Sequence, residues 1–319
     1  PSPASTQLAL SLCFLYAQAM VKAFQILAAV VLIVHPALTR ADDAPASAAL
    51  SATPIALPLT TNRATGPRLS GAWQLTMNDA RFGGFSSMML AGDDLMLLSD
   101  AGVMFRLHRD GDGFAPSALA SALPAACTTG PTRKDSDSES MSVTPDGREV
   151  RIGMERSNTL CAVDLASPQG ARSLNLAPMA LWPQNAGAEA MASLPGKGLA
   201  IIGETRDPAV GTHPLLWYHG DPADAEVHLT NMRYQPPRGF KPADAAFLPD
   251  GRMIVINRRF RIDAGRATTL TIVPAFTPAE GQVLTGDTIT EIANQPLAAN
   301  YEGIAIAPRA GGRLRFRGA

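Results

Sequence analysis

Acidic residues return along this chain at a regular distance. Glu139, Glu189, Asp244 and Glu302 each open a short apolar run. Ser86 opens a similar run upstream, and the five openings stand 53, 50, 55 and 58 residues apart. Four carboxylates gathered around one axis repel each other unless a cation or arginines neutralise them. Oxygen donors without a cluster of Cys or His select a hard ion, so Ca²⁺ (or Mg²⁺) is the expected cofactor. Such an ion binds anionic oxygens and orients an attacking water. Arginines stand at the ends of the same units, at Arg156, Arg206 and Arg258, where a guanidinium fork suits phosphate oxygens. A cation site of this kind requires carboxylates from at least three units within ~5 Å of one point. In the competing reading each acid accepts backbone hydrogen bonds and stitches neighbouring units. The Glu155-Arg156 and Glu204-Thr205-Arg206 pairs would then be salt bridges between units.

The units that must position these acids read as β-hairpins. In Asp137–Arg156, apolar positions alternate on both sides of a Pro-Asp-Gly turn at Pro145–Gly147. Copies follow at Glu189–Arg206, turning at Pro195-Gly196, and at Asp244–Arg258, turning at Pro249–Gly251. A degenerate copy precedes them at Gly83–Asp100, and a fifth begins at Asn300-Tyr301-Glu302-Gly303. Further strands fit between the hairpins at Val103–Leu107, Leu160–Leu165, Leu215–Tyr218 and Thr268–Val273. Self-similarity at about 50 residues with four strands per unit marks a propeller. The expected fold is an all-β propeller, six-bladed with an incomplete last blade. A stacked pair of β-sandwiches is the rival.

Composition agrees with many short strands. Apolar residues make up 46% and charged residues 17%, and 27 Gly and 26 Pro punctuate 319 residues. Met20–Ala41 has the form of a signal peptide: Lys22, an apolar core over Ala23–Val34, then small residues before Asp42. The apolar run is shorter than the ~20 residues that span a bilayer. Residues 1–19 then read as an upstream extension, 42–68 as a flexible lead-in, and 69–319 as the propeller domain. Removing residues 1–41 takes away Lys22 and Arg40 and no acid, moving the net charge from −1 to about −3. That balance excludes a nucleic-acid partner. No stable membrane span is expected after cleavage, and the oligomeric state is left open. In an oxidising compartment Cys127 and Cys161 are expected to form a disulfide, with two buried thiols as the alternative.

Taken together, the motifs resemble the phytase-like family, the "esterase-like activity of phytase" domain. They are Gly-Gly-Phe-Ser before Ser-Asp, an acidic pair before a Pro-Asp-Gly hairpin ending in Glu-Arg, Gly-Ala-Glu-Ala-Met, a second Pro-Asp-Gly hairpin ending in Arg-Arg-Phe, and Asn-Tyr-Glu-Gly-Ile-Ala. The resemblance covers about residues 69–308 and implies a periplasmic or secreted phosphoesterase acting on a small phosphorylated substrate. It carries acidic positions over to Asp100, Asp137, Glu139, Glu155, Glu189, Glu204 and Glu302. With the spacing argument, it makes Asp100, Asp137, Glu139, Glu189, Asp244 and Glu302 the expected metal ligands. Glu139, Glu189 and Glu302 are the expected catalytic residues, and Arg156, Arg206 and Arg258 the substrate clamps. The alternative is a non-catalytic propeller of the cell envelope that binds a ligand or protein. Three departures stand out: Asn257 where the family has Glu, Ser140 where it has Gly, and the basic tail GGRLRFRGA, which reads as a C-terminal truncation.

Other chemistries lack their motifs. There is no G-x-S-x-G nucleophile turn, and Gly196-Lys197-Gly198 lacks the frame of a P-loop. His108, His213, His219 and His228 stand in no metal spacing and are expected to serve packing or the surface.

Overall fold

The computed structural model describes residues 14–18, 25–30, 46–55, 68–110, 113–165, 167, 170–263, 265–292, 301–309 and 313–318. Before the first hairpin come β1 (Phe14–Gln18), β2 (Gln25–Val30), β3 (Ala46–Pro54), β4 (Arg68–Gly71) and β5 (Trp73–Met77). Four antiparallel, four-stranded blades follow. The first is β6 (Phe85–Ala91), β7 (Asp94–Ser99), β8 (Val103–Asp110) and β9 (Gly113–Ala122), extended outward by β3 and β5. The second is β10 (Ser138–Val143), β11 (Glu149–Met154), β12 (Thr159–Asp164) and β13 (Arg172–Leu174). The third is β14 (Ala188–Leu194), β15 (Gly198–Gly203), β16 (His213–Tyr218) and β17 (Leu229–Tyr234), with β21 (Val283–Leu284) added in parallel. The fourth is β18 (Lys241–Phe247), β19 (Met253–Arg261), β20 (Gly265–Val273) and β22 (Asp287–Ile292). A fifth sheet has the order β23 (Ile304–Arg309), β24 (Arg313–Gly318), β2, β1, β4.

The first strands of these sheets surround one axis. β6 touches β10, β10 touches β14, β14 touches β18, β18 touches β23, and β23 touches β6. The fold is therefore an all-β propeller and not a sandwich pair. The described residues hold five sheets where six blades were expected, because the sixth was inferred from a repeat count and β23 already meets β6. Five apolar clusters fill the boundaries between sheets: Leu97 and Phe105 with Ala305, Leu98 with Ile152, Leu160 with Ile201, Trp217 with Val255, and Ile254 with Tyr301. Each fully buried Leu, Ile or Val in them contributes about 1.5–3 kcal/mol.

The segment read as a flexible lead-in and the tail read as a truncation both contain strands. β3 falls within the lead-in of residues 42–68, yet it pairs with both β5 and β9. The tail is β24, antiparallel to β23 and parallel to β2. β1 and β2 fall in the stretches read as extension and signal peptide, and residues 31–45 lie outside the described residues. No helix among the described residues is long and apolar enough to cross a membrane.

Cys127, just after the first blade, is bonded to Cys161 on β12, with Cα atoms 5.1 Å apart. The bond closes a 34-residue separation around the second blade's hairpin and is worth ~3 kcal/mol in the loop-entropy view.

Candidate functional site

The acidic openings are placed by a recurrent irregularity. In four blades the pairing of first and second strands shifts by one residue near its start, and the extra residue is Ser86, Glu139, Glu189 or Ala243. A β-bulge of this kind re-aims one side chain away from the regular alternation. The bulges put Glu139 and Glu189 in corresponding places. Asp244 is displaced by one position from them, and the bulge residue of its blade is Ala243. The neighbouring position on the second strand is filled by Asp100, Glu155, Glu204 and Arg258 in the four blades. Arg258 therefore stands where three other blades carry a carboxylate.

On one side of this mouth the charges are matched. Arg258 donates to Glu189 and to Glu302, and its Nη2 lies 3.6 Å from Glu204 Oε1. Lys241 donates to the same Glu204 oxygen. Burial pulls the Lys241 ammonium below its usual range, with Arg258 adding to the effect and the surrounding glutamates opposing it. Glu204 thus bridges to the fourth blade as an interblade ion pair, but through Lys241 and Arg258. Among the described residues the exposed Arg206 makes no ion pair.

The other side is short of cations. Asp137, Glu139 and Glu155 each bring one carboxylate oxygen to within 4.8 Å of the others. All three belong to the second blade, so the expected gathering from three units is not what forms. Burial, then Glu189, Glu155 and Asp137, push the Glu139 carboxyl well above its ordinary range, only partly offset by Arg258. Burial and Asp137 push Glu155 up to about 7. Arg156 Nε lies 3.4 Å from Asp137 Oδ2, close enough for an ion pair. The competing reading made Glu155 and Arg156 a salt bridge; instead Arg156 lies against Asp137, and Glu155 turns into the acidic group.

Two expected ligands are engaged elsewhere. Asp100 receives a hydrogen bond from Arg133. Its carboxyl is raised by burial and by Asp137, against the pull of Arg133. It packs on Gly84 (φ +60°), where a Cβ would lie 2.7 Å from Asp100 Oδ1. Asp244 is fully buried and accepts from Ile304 N at 2.8 Å, Ala245 N at 2.9 Å and Ser87 Oγ at 3.3 Å. It ties the first, fourth and fifth sheets together, the stitching role that the sequence left open. Asn257, in place of the family's Glu, is buried against Tyr234 Oη at 3.0 Å and Thr271 Oγ1 at 3.0 Å. Glu155, Glu204 and Lys241 are the mouth residues that spacing alone did not single out. The signal for the two glutamates was their repeated position at hairpin ends; Lys241 had none.

The histidines serve packing or the surface, with the exposed His108 against Asp94 at 2.7 Å. His213 is buried and its ring faces Gly203 O at 3.1 Å. His219 faces Thr230 Oγ1 at 2.9 Å.

Seven carboxylates (Asp100, Asp137, Glu139, Glu155, Glu189, Glu204 and Glu302) against Arg133, Arg156, Lys241 and Arg258 make this an all-β propeller with an acidic centre. The family model described as "Phytase-like: Esterase-like activity of phytase" matches residues 80–316, and the chain belongs to that family. No curated protein matches significantly. Among solved structures, a proposed 6-phosphogluconolactonase of Bacteroides uniformis is 11% identical, with a TM-score of 0.36 over 90% of this chain and 99% of that one. The Cps50 (Swd1) β-propeller domain of Myceliophteria thermophila is 11% identical, with a TM-score of 0.37 over 77% and 90%.

Proposed function

We propose that this chain is a periplasmic or secreted phosphoesterase that hydrolyses a small phosphorylated substrate with the help of a hard divalent cation, Ca²⁺ or Mg²⁺. The observation that carries this reading is the group Asp137, Glu139 and Glu155, three carboxylates within 4.8 Å that no internal cation fully neutralises. The donor set is all carboxylate oxygen, which fits a hard ion and not zinc. Asp137, Glu139 and Glu155 would hold the ion, which when bound supplies charge for phosphate oxygens and a lowered pKa for water.

The protein's own residues account for the rest. Arg156 and Arg258 flank the group: the buried Nε of Arg258 has no hydrogen-bond acceptor, and that of Arg156 makes only the long 3.4 Å ion pair with Asp137. A guanidinium charge with an N–H to spare beside the cation suits a phosphate oxygen. Without the ion the Glu155 carboxyl is raised to about 7, so taking up the cation would release a proton near neutral pH. Glu189 and Glu302 hold Arg258 in place, so their role is positioning. Arg206, exposed and away from these pairs, is left out of the clamp. The disulfide supports an oxidising compartment, in line with the signal peptide expected at 20–41.

The test is hydrolysis of p-nitrophenyl phosphate and bis-p-nitrophenyl phosphate by the full chain, with and without Ca²⁺. Turnover that rises with the cation and is lost in Glu139→Gln/Glu155→Gln is expected. Turnover no higher than in that double variant would overturn the reading.

A further inference from the structure

The face that holds the acidic mouth also carries an apolar and basic rim. In every antiparallel blade the second-to-third strand loop and the link to the next blade lie at the end where the first strand begins. Glu139 and Glu189 are at that end. So are Leu181, on the link from the second to the third blade, and Val210, on the loop between β15 and β16. Phe260 and Ile262, at the tip between β19 and β20, are there too. These are large apolar side chains left out in water: Leu181 is 87% exposed, Val210 60%, Phe260 70% and Ile262 98%.

The β19–β20 tip is an arm. β19 pairs with β18 only as far as Arg258, opposite Lys241, yet runs on with β20 to Arg261, opposite Gly265. Three further residues in strand geometry carry the tip about 10 Å beyond the blade. Its base is fixed by the Arg259 guanidinium, 4.5 Å over the Phe240 ring, and by the Arg259–Glu291 pair.

Charge decides what this rim fits. Arg206 and Arg238, on loops of the third and fourth blades, and Arg266, opposite Phe260 on the arm, lie exposed and form no ion pair among the described residues. The carboxylates of the same loops are matched: Asp207 with Arg233 at 2.8 Å, and Asp263 with Arg261. Apolar prongs beside uncompensated arginines fit a surface that is anionic outside and apolar a few ångströms below.

We propose that this rim docks the protein on an anionic phospholipid bilayer, with Phe260 and Ile262 entering the headgroup boundary and Arg206, Arg238 and Arg266 meeting lipid phosphates. The docked face brings the acidic mouth to the headgroup level. Binding does not depend on hydrolysis, so it stands or falls apart from the proposed activity.

The experiment is co-sedimentation of the full chain with phosphatidylcholine vesicles with and without phosphatidylglycerol. Binding to the anionic vesicles is expected, weakening with salt. Phe260→Ser/Ile262→Ser should weaken it by roughly tenfold or more per side chain. Replacing Arg206, Arg238 and Arg266 with Gln should weaken it roughly fivefold for each arginine. Both variants alter exposed side chains only, and an unchanged thermal melt checks the fold. The proposal is overturned by absence of binding to anionic vesicles, by binding that survives loss of Phe260 and Ile262, or by a dimer that Phe260→Ser/Ile262→Ser dissolves while vesicles go unbound.

Discussion

Glu139 and Glu155 face each other across one hairpin of the second blade, with carboxylate oxygens within 4.8 Å, while Arg258 is hydrogen-bonded to Glu189 and Arg156 lies against Asp137. Two acids that close, and partly desolvated, favour sharing protons over carrying two charges. A cation removes the same conflict.

The pH dependence of stability follows from the sign of that shift. The Glu155 carboxyl is raised in the folded protein from an ordinary 4.5 to about 7. The folded state then holds more protons than the unfolded one between these values, so stability is fully present below about 4.5 and falls as pH rises to about 7. After allowance for solvent screening the loss is about 1–2 kcal/mol. Denaturant melts across this window should show the decline in the natural protein and a shallower one, smaller by about that amount, in Glu155→Gln. Ca²⁺ at neutral pH should restore stability in the natural protein alone, by ~2.7 kcal/mol at a hundred times its dissociation constant.

Asp244 should matter to folding and not to cation binding. Its carboxylate is the shared acceptor for Ile304 N, Ala245 N and Ser87 Oγ in the middle of the ring. Burial raises its pKa well above the carboxylate range, and those hydrogen bonds pull against that rise. Asp244→Ala strands buried donors at about 1–3 kcal/mol for each group left unpaired. A drop in the urea midpoint with unaltered Ca²⁺ affinity is the expected result. Calorimetric loss of Ca²⁺ binding in a folded Asp244→Ala protein would return this residue to the site.

Arg151 is the buried cation of the opposite end of the second blade. Its side chain is inaccessible to water and donates to Asp221 Oδ1 at 3.0 Å and Glu149 Oε2 at 2.6 Å. Arg172 donates to Glu149 Oε1 at 2.7 Å, and this bond leads the interactions that hold Glu149 down to about 2. A depressed carboxyl contributes stability above its unfolded value of about 4.5 and loses it as pH falls toward 2. With screening this is about 1 kcal/mol. Arg151→Ala removes the pair that links second and third blades and should cost about 3 kcal/mol. Comparing urea midpoints at neutral and acid pH would separate the two effects, since Glu149→Gln should flatten only the acid limb.

Much of the architecture is a local property of the chain. Alternating apolar residues and Pro-Asp-Gly turns specify each hairpin within about twenty residues, and repetition of the hairpin specifies a ring. The same locality made Cys127 and Cys161 legible as a clasp around one blade. Tertiary structure decided which side chains meet. A register slip of one residue reverses the face of a strand, so spacing could not tell that Ala243, and not Asp244, matches Glu139 and Glu189. Nor could it tell that Arg258 occupies a carboxylate's place and saturates Glu189 and Glu302, leaving the cation-poor corner to Asp137, Glu139 and Glu155. Those outcomes depend on neighbours 44 and 69 residues away, brought together by closure of the ring. Pairing of that range is absent from any one repeat and exists only once the blades pack.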